Sequence, residues 1–94
     1  MKQFKKLISD NYKSIVDRGM ISENTTISDF MVKLNEEVQE LHIESFNPIS
    51  GDFNMELADV MLVCLNIAYH YDIDIMKAMN KKVLINQQRA DEGL

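Results

Sequence analysis

The stretch NMELADVMLVCLNIAYH, Asn54 to His70, decides the fold. Apolar side chains fall on nearly every side of its helical wheel, with Leu57, Val60, Leu62, Val63, Leu65 and Ile67 among them, and none of it alternates as a strand does. A helix that is greasy all round is one buried on most sides, so this segment predicts a central helix reaching about Tyr71, with Asn54 as its N-cap. Cys64 lies inside the apolar run and reads as a small buried hydrophobe. Four polar residues interrupt it. Glu56, Asp59, Asn66 and His70 project within roughly 80° of one another, a single narrow stripe on the rod.

Working outward, a helix precedes this one from about Thr26 to Phe46, before Asn47-Pro48. Thr26 and Asp29 have the spacing of a capping box, and Ile27, Phe30, Leu34, Val38 and Leu41 continue the apolar stripe. A first helix spans about Lys2 to Arg18, with Gly19 where a left-handed residue commonly closes a helix. A fourth is capped by Asp72 or Asp74 and ends near Arg89, leaving Ala90 to Leu94 as a frayed tail. The reading is a single all-α domain over residues 1–94 made of four helices.

Composition bounds the function. The chain has 94 residues, 15 acids, 10 bases, a net charge of −5 and one cysteine. A domain of this size buries only about 60 to 65% of its unfolded surface, so a lone protomer is marginal without a disulfide, a metal or a partner chain. One cysteine makes no intrachain disulfide. The acidic balance argues against a nucleic-acid binder, which needs clustered bases to displace phosphate counterions. No run is long and apolar enough for a signal peptide or a membrane span, and the expectation is a cytoplasmic protein.

The acids carry the chemistry. On the second helix, Glu37, Glu40 and Glu44 fall within roughly 60° of one another beside the apolar stripe, while Glu36 points further toward solvent. Acids at such spacing commonly serve solubility alone. The stripe on the third helix weighs against that, because carboxylates on a buried helix need cations or metals for company. No lysine or arginine lies between Lys33 and Lys77. Two carboxylate pairs, Glu37 with Glu40 and Glu56 with Asp59, form an all-oxygen donor set that suits Mg²⁺, with Mn²⁺ as a substitute. Zinc would want histidine or cysteine, and a di-iron centre would want Glu-x-x-His, where this chain has Glu40, Ile43 and Asp59 three residues after Glu37, Glu40 and Glu56.

LNEEVQEL (Leu34 to Leu41), then ELADVM (Glu56 to Met61), then a helix closing with Asn86 and Arg89, resembles the all-α nucleotide pyrophosphohydrolases of the MazG-like superfamily. The similarity extends upstream through DRGMISENTT and downstream through YDIDIMKAM, covering most of the chain. The resemblance implies hydrolysis of a nucleoside triphosphate to monophosphate and pyrophosphate, with Mg²⁺ held by Glu37, Glu40, Glu56 and Asp59. It implies that Glu36 or Glu37 orients the attacking water, and Lys33, Asn86 and Arg89 match family positions as substrate contacts; Lys82 and Lys81 are further candidates among the bases to contact phosphates. It also implies a homo-oligomer, dimer or tetramer, in which neighbouring chains complete the helical bundle. Relatives often place a tryptophan on the first helix, where this chain offers Phe4, Tyr12 or Phe30, and a glycine where it has Gln39. Two other functions fit the same acids: a noncatalytic helical module that binds nucleotide or a partner, and phosphoribosyl-ATP pyrophosphohydrolase.

Overall fold

The computed structural model describes residues 2–93 and consists of four helices, α1 (Lys2–Asp17), α2 (Ile27–Glu44), α3 (Gly51–His70) and α4 (Ile75–Asp91), with no strand among the described residues. Helix α3 is central, packed against α2 along one side and α1 along another.

Each boundary has a local cause. α1 ends in a Schellman motif: the Gly19 N–H donates to the Val16 carbonyl at 2.8 Å and the Met20 N–H to that of Ile15 at 3.1 Å, with Gly19 at φ +75. α2 starts on the expected capping box. The Asp29 N–H donates to Thr26 Oγ1 at 3.2 Å, and the Thr26 N–H donates to Asp29 Oδ2 at 2.9 Å.

α3 corrects the expected boundary. Ser50, not Asn54, is its N-cap, the Oγ accepting from the Phe53 N–H at 3.1 Å. The helix therefore begins a turn earlier, and Glu56 lies beyond the first turn, where the helix dipole no longer explains an acid. A second Schellman motif closes α3, with the Ile73 N–H on the Ala68 carbonyl at 2.8 Å and Asp72 in the left-handed region at φ +54. Asp74 then caps α4 through the Lys77 N–H. Of the two candidates Asp74 is the cap, and Asp72 serves the close of α3 instead. α4 continues two residues past Arg89, to Asp91, so part of the expected tail is helical; Leu94 lies outside the described residues.

The core is small. Ile21, Phe30, Val63, Leu65 and Ala68 are its buried apolar members, with Asn66 beside them. The polar stripe of α3 divides into two kinds. Asn66 accepts from Asn11 Nδ2 at 2.8 Å, and His70 bridges Tyr12 Oη at 2.8 Å and the Thr25 carbonyl at 3.1 Å. A carbonyl only accepts, so Nε2 of His70 carries a proton, which in the neutral imidazole leaves Nδ1 to accept from the Tyr12 hydroxyl. These two residues tie α1 and the α1–α2 turn to α3, while Phe30 meets the His70 ring edge-on at 4.9 Å.

Much apolar surface is uncovered. α4 makes no extensive packing with the other helices, and the Cα radius of gyration is 15.5 Å where about 12 Å suits a compact chain of this length. Cys64 is exposed, contrary to the sequence expectation, because no other helix of the same chain covers that side of α3. No helix among the described residues is long and apolar enough to cross a membrane.

Candidate metal centre

Packing of α2 on α3 brings their acids together. Carboxylate oxygens of Glu37, Glu56 and Asp59 lie within 4.8 Å of one another. Glu37 is buried at 6% exposure, Glu56 is half-buried and Asp59 sits on the exposed rim. Glu37 and Glu56 each have one buried oxygen, Oε2 in both, with no hydrogen-bond partner among the described residues. Buried carboxylate oxygens are normally satisfied, and leaving one bare costs the desolvation of a charged acceptor. A hard divalent cation fits this donor set: every candidate ligand atom is an oxygen, and two of the three carboxylates keep an unpartnered one.

The electrostatics agree. Burial pushes the Glu56 carboxyl above its ordinary value of 4.5, helped by the neighbouring Glu40 carboxylate and by the negative charges of Asp59 and Glu37. Among the described residues one base answers them. Lys33 Nζ lies 3.0 Å from Glu37 Oε1 and 3.9 Å from Glu36 Oε2, and the hydrogen bond to Glu37 holds the ammonium above the usual lysine range.

Of the four acids expected as ligands, the structure gathers three. Glu40 is exposed and borders Glu56 without joining the three-oxygen group. Glu36 is exposed on the solvent side of Lys33, outside the cluster.

A cleft of about 340 Å³ opens beside the cluster. Glu37, Asp59 and Lys33 line it, with Arg18 from the end of α1 and an apolar wall that includes Ile21, Phe30 and Leu62. Arg18 is the residue that sequence reasoning missed. A base at a helix C-terminus reads as a partner for the helix dipole, and only the turn at Gly19 brings it to this cleft. Of the aromatic candidates, Phe30 lines the cleft, Tyr12 is committed to His70, and Phe4 lines a separate, more open groove between α1 and the α3–α4 turn. Lys82, Asn86 and Arg89 are exposed on α4 and line neither the cleft nor the cluster, so a single chain does not bring these expected substrate contacts to the acids. Lys81 is exposed on the same helix.

No family model, curated protein or solved structure matches the chain.

Proposed function

We propose that this chain is a Mg²⁺-dependent nucleoside triphosphate pyrophosphohydrolase, which releases pyrophosphate and leaves a monophosphate, and that it works in the cytoplasm as a dimer or tetramer. The observation that carries the reading is the convergence of Glu37, Glu56 and Asp59, two of them with a bare buried oxygen, on the edge of a cleft that also holds Arg18 and Lys33. The resemblance of LNEEVQEL and ELADVM to the MazG-like enzymes supplies the reaction.

In this reading Glu37, Glu56 and Asp59 hold the ion, with Glu40 beside them. Bound Mg²⁺ supplies Lewis acidity toward phosphate oxygens and neutralises charge on the leaving pyrophosphate. Arg18 and Lys33 bind the phosphate chain from the cleft wall. Glu37 lines the cleft while Glu36 stays outside it, so Glu37 is the acid that orients the attacking water. Ile21, Phe30 and Leu62 cover the base and exclude water. Because α4 is unpacked against its own chain, Lys82, Asn86 and Arg89 act at a cleft completed by another copy.

The test is pyrophosphate release from canonical, deoxy and modified nucleoside triphosphates and from phosphoribosyl-ATP, with Mg²⁺ and with EDTA, beside a Glu56→Gln, Asp59→Asn double variant. Metal-dependent release from a triphosphate that vanishes in the variant is the expected result. Turnover of phosphoribosyl-ATP alone would move the assignment to that reaction. Silence from a folded, oligomeric protein would leave a noncatalytic binding module.

A further inference from the structure

Lys33 occupies a position that two roles cannot share. Its ammonium lies 3.0 Å from Glu37 Oε1, on the one acid of the cluster that is more than nine-tenths buried, while Glu37 Oε2 has no partner among the described residues. The same side chain lines the cleft together with Arg18, whose guanidinium makes no ion pair among the described residues. A cation bound by Glu37, Glu56 and Asp59 would place two positive charges next to an ammonium that is already neutralising Glu37. Repulsion between like charges at such short range then favours a new position for the longer, more exposed partner. Lys33 is that partner, with 44% of its side chain exposed against 8% for Glu37.

We propose that Lys33 is an exchangeable counter-ion: it neutralises Glu37 while the acidic cluster is empty of metal, and a divalent cation releases it into the cleft. There it joins Arg18 as an anion-binding pair for polyphosphate. This rests on the metal-dependent reading above and adds an order of events to it, in which the anion pair is complete only after the cation has bound. Lys33 thereby couples the two sites, since the charge it spends on neutralising Glu37 is charge it does not offer in full to phosphate. Its reach permits this. Lys33 has a flexible four-carbon stem, is on the surface of α2, and is held by the Glu37 contact and a long one to Glu36.

The experiment compares wild type, Lys33→Met and Arg18→Met by calorimetric titration with Mn²⁺ alone and then with the preformed Mg²⁺ complex of tripolyphosphate. Both substitutions remove a surface cation lining one cleft, so both variants are expected to fold, which helicity checks. Mn²⁺ binds Lys33→Met about two- to fivefold more tightly than wild type, the scale of one partly exposed ion pair removed from competition, and binds Arg18→Met as it binds wild type. Mg²⁺-tripolyphosphate binds both variants about tenfold more weakly, the scale of a charge-assisted contact to phosphate. Opposite signs from the single substitution at Lys33 are the signature of exchange. Unchanged or weaker Mn²⁺ binding in Lys33→Met, or equal tightening in both variants, would overturn the exchange and leave the metal site standing. A wild-type chain that binds no Mn²⁺ would overturn the metal-dependent function and this inference with it.

Discussion

Glu37 on α2 and Glu56 on α3 stand across one helix interface with carboxylate oxygens within 4.8 Å, and each keeps an Oε2 that meets no donor. Nothing in packing favours this pair, because like charges repel and both lose hydration. Stability alone would put an amide or an apolar residue at one of the positions.

A first prediction follows from that conflict. Glu56→Gln should raise the melting temperature of the protein in EDTA, and should abolish the rise that Mn²⁺ or Mg²⁺ gives the wild type. At a free cation concentration of about 100 times Kd, the wild-type gain is about 2.7 kcal/mol by mass action. Thermal melts with and without metal measure both halves. A variant that melts below wild type in EDTA would show Glu56 to be a structural acid.

Acidity gives the second. The folded-state pKa of Glu56 is raised, so the unfolded chain ionises first as pH rises. Metal-free stability therefore falls from about the ordinary glutamate value of 4.5 up to the folded pKa, and levels off above it. Asp29 runs the other way: its hydrogen bonds with Thr26 lower its pKa, and the stability they confer is present above the ordinary value of 3.8 and lost as pH falls through the folded one. The advantage of Glu56→Gln over wild type in EDTA should thus open as pH climbs through the glutamate range. An advantage equal at acid and neutral pH would contradict the raised pKa.

Asp72 offers a test remote from the acids. It closes α3 in the left-handed region at φ +54, a conformation that a Cβ penalises and glycine does not. Asp72→Gly should stabilise the fold by about 1 kcal/mol, net of the extra freedom glycine has when unfolded. Urea denaturation at fixed protein concentration reads the change, with Mn²⁺ affinity unaltered. A destabilised variant would mean that the aspartate side chain holds the turn.

What the sequence disclosed depended on whether the signal was local. Thr26 with Asp29, Gly19 and the apolar run through Val63 are each legible from neighbours a few residues away, and the helices lie where those signals put them. Asn54 is a good cap by residue type, and so is Ser50; only the backbone decides which side chain meets an N–H three residues on, and it is Ser50. The four-membered stripe on α3 was visible, but its division was not: Asn66 and His70 are satisfied by Asn11, Tyr12 and Thr25, which are distant in sequence, whereas Glu56 keeps a bare oxygen. Arg18 at the cleft and Cys64 in the open are likewise tertiary facts, set by what α1 reaches and what α4 leaves uncovered.

The uncovered surface carries the last prediction. A compact monomer of 10.9 kDa exposes about 5,600 Å², and this chain exposes 7364 Å². If each of two copies hid the surplus, the interface would total about 3,600 Å², within the range of obligate dimers. α4 supplies part of that surface, with Met79, Val83 and Leu84 exposed at helical spacing and bases beside them. Its charge also suits a partner, since Lys77, Lys81, Lys82 and Arg89 outnumber its one acid, Asp91, while α2 and the first half of α3 are rich in acids. Sedimentation should show dimers or tetramers at micromolar concentration, with a melting temperature that rises with concentration as mass action requires. Val83→Asp should shift that equilibrium toward monomer and lower the melting temperature, and under the proposed function it should reduce turnover as well, because that reading completes the cleft with α4 of another copy. A monodisperse monomer whose melting temperature ignores concentration would leave the apolar face of α4 without this role.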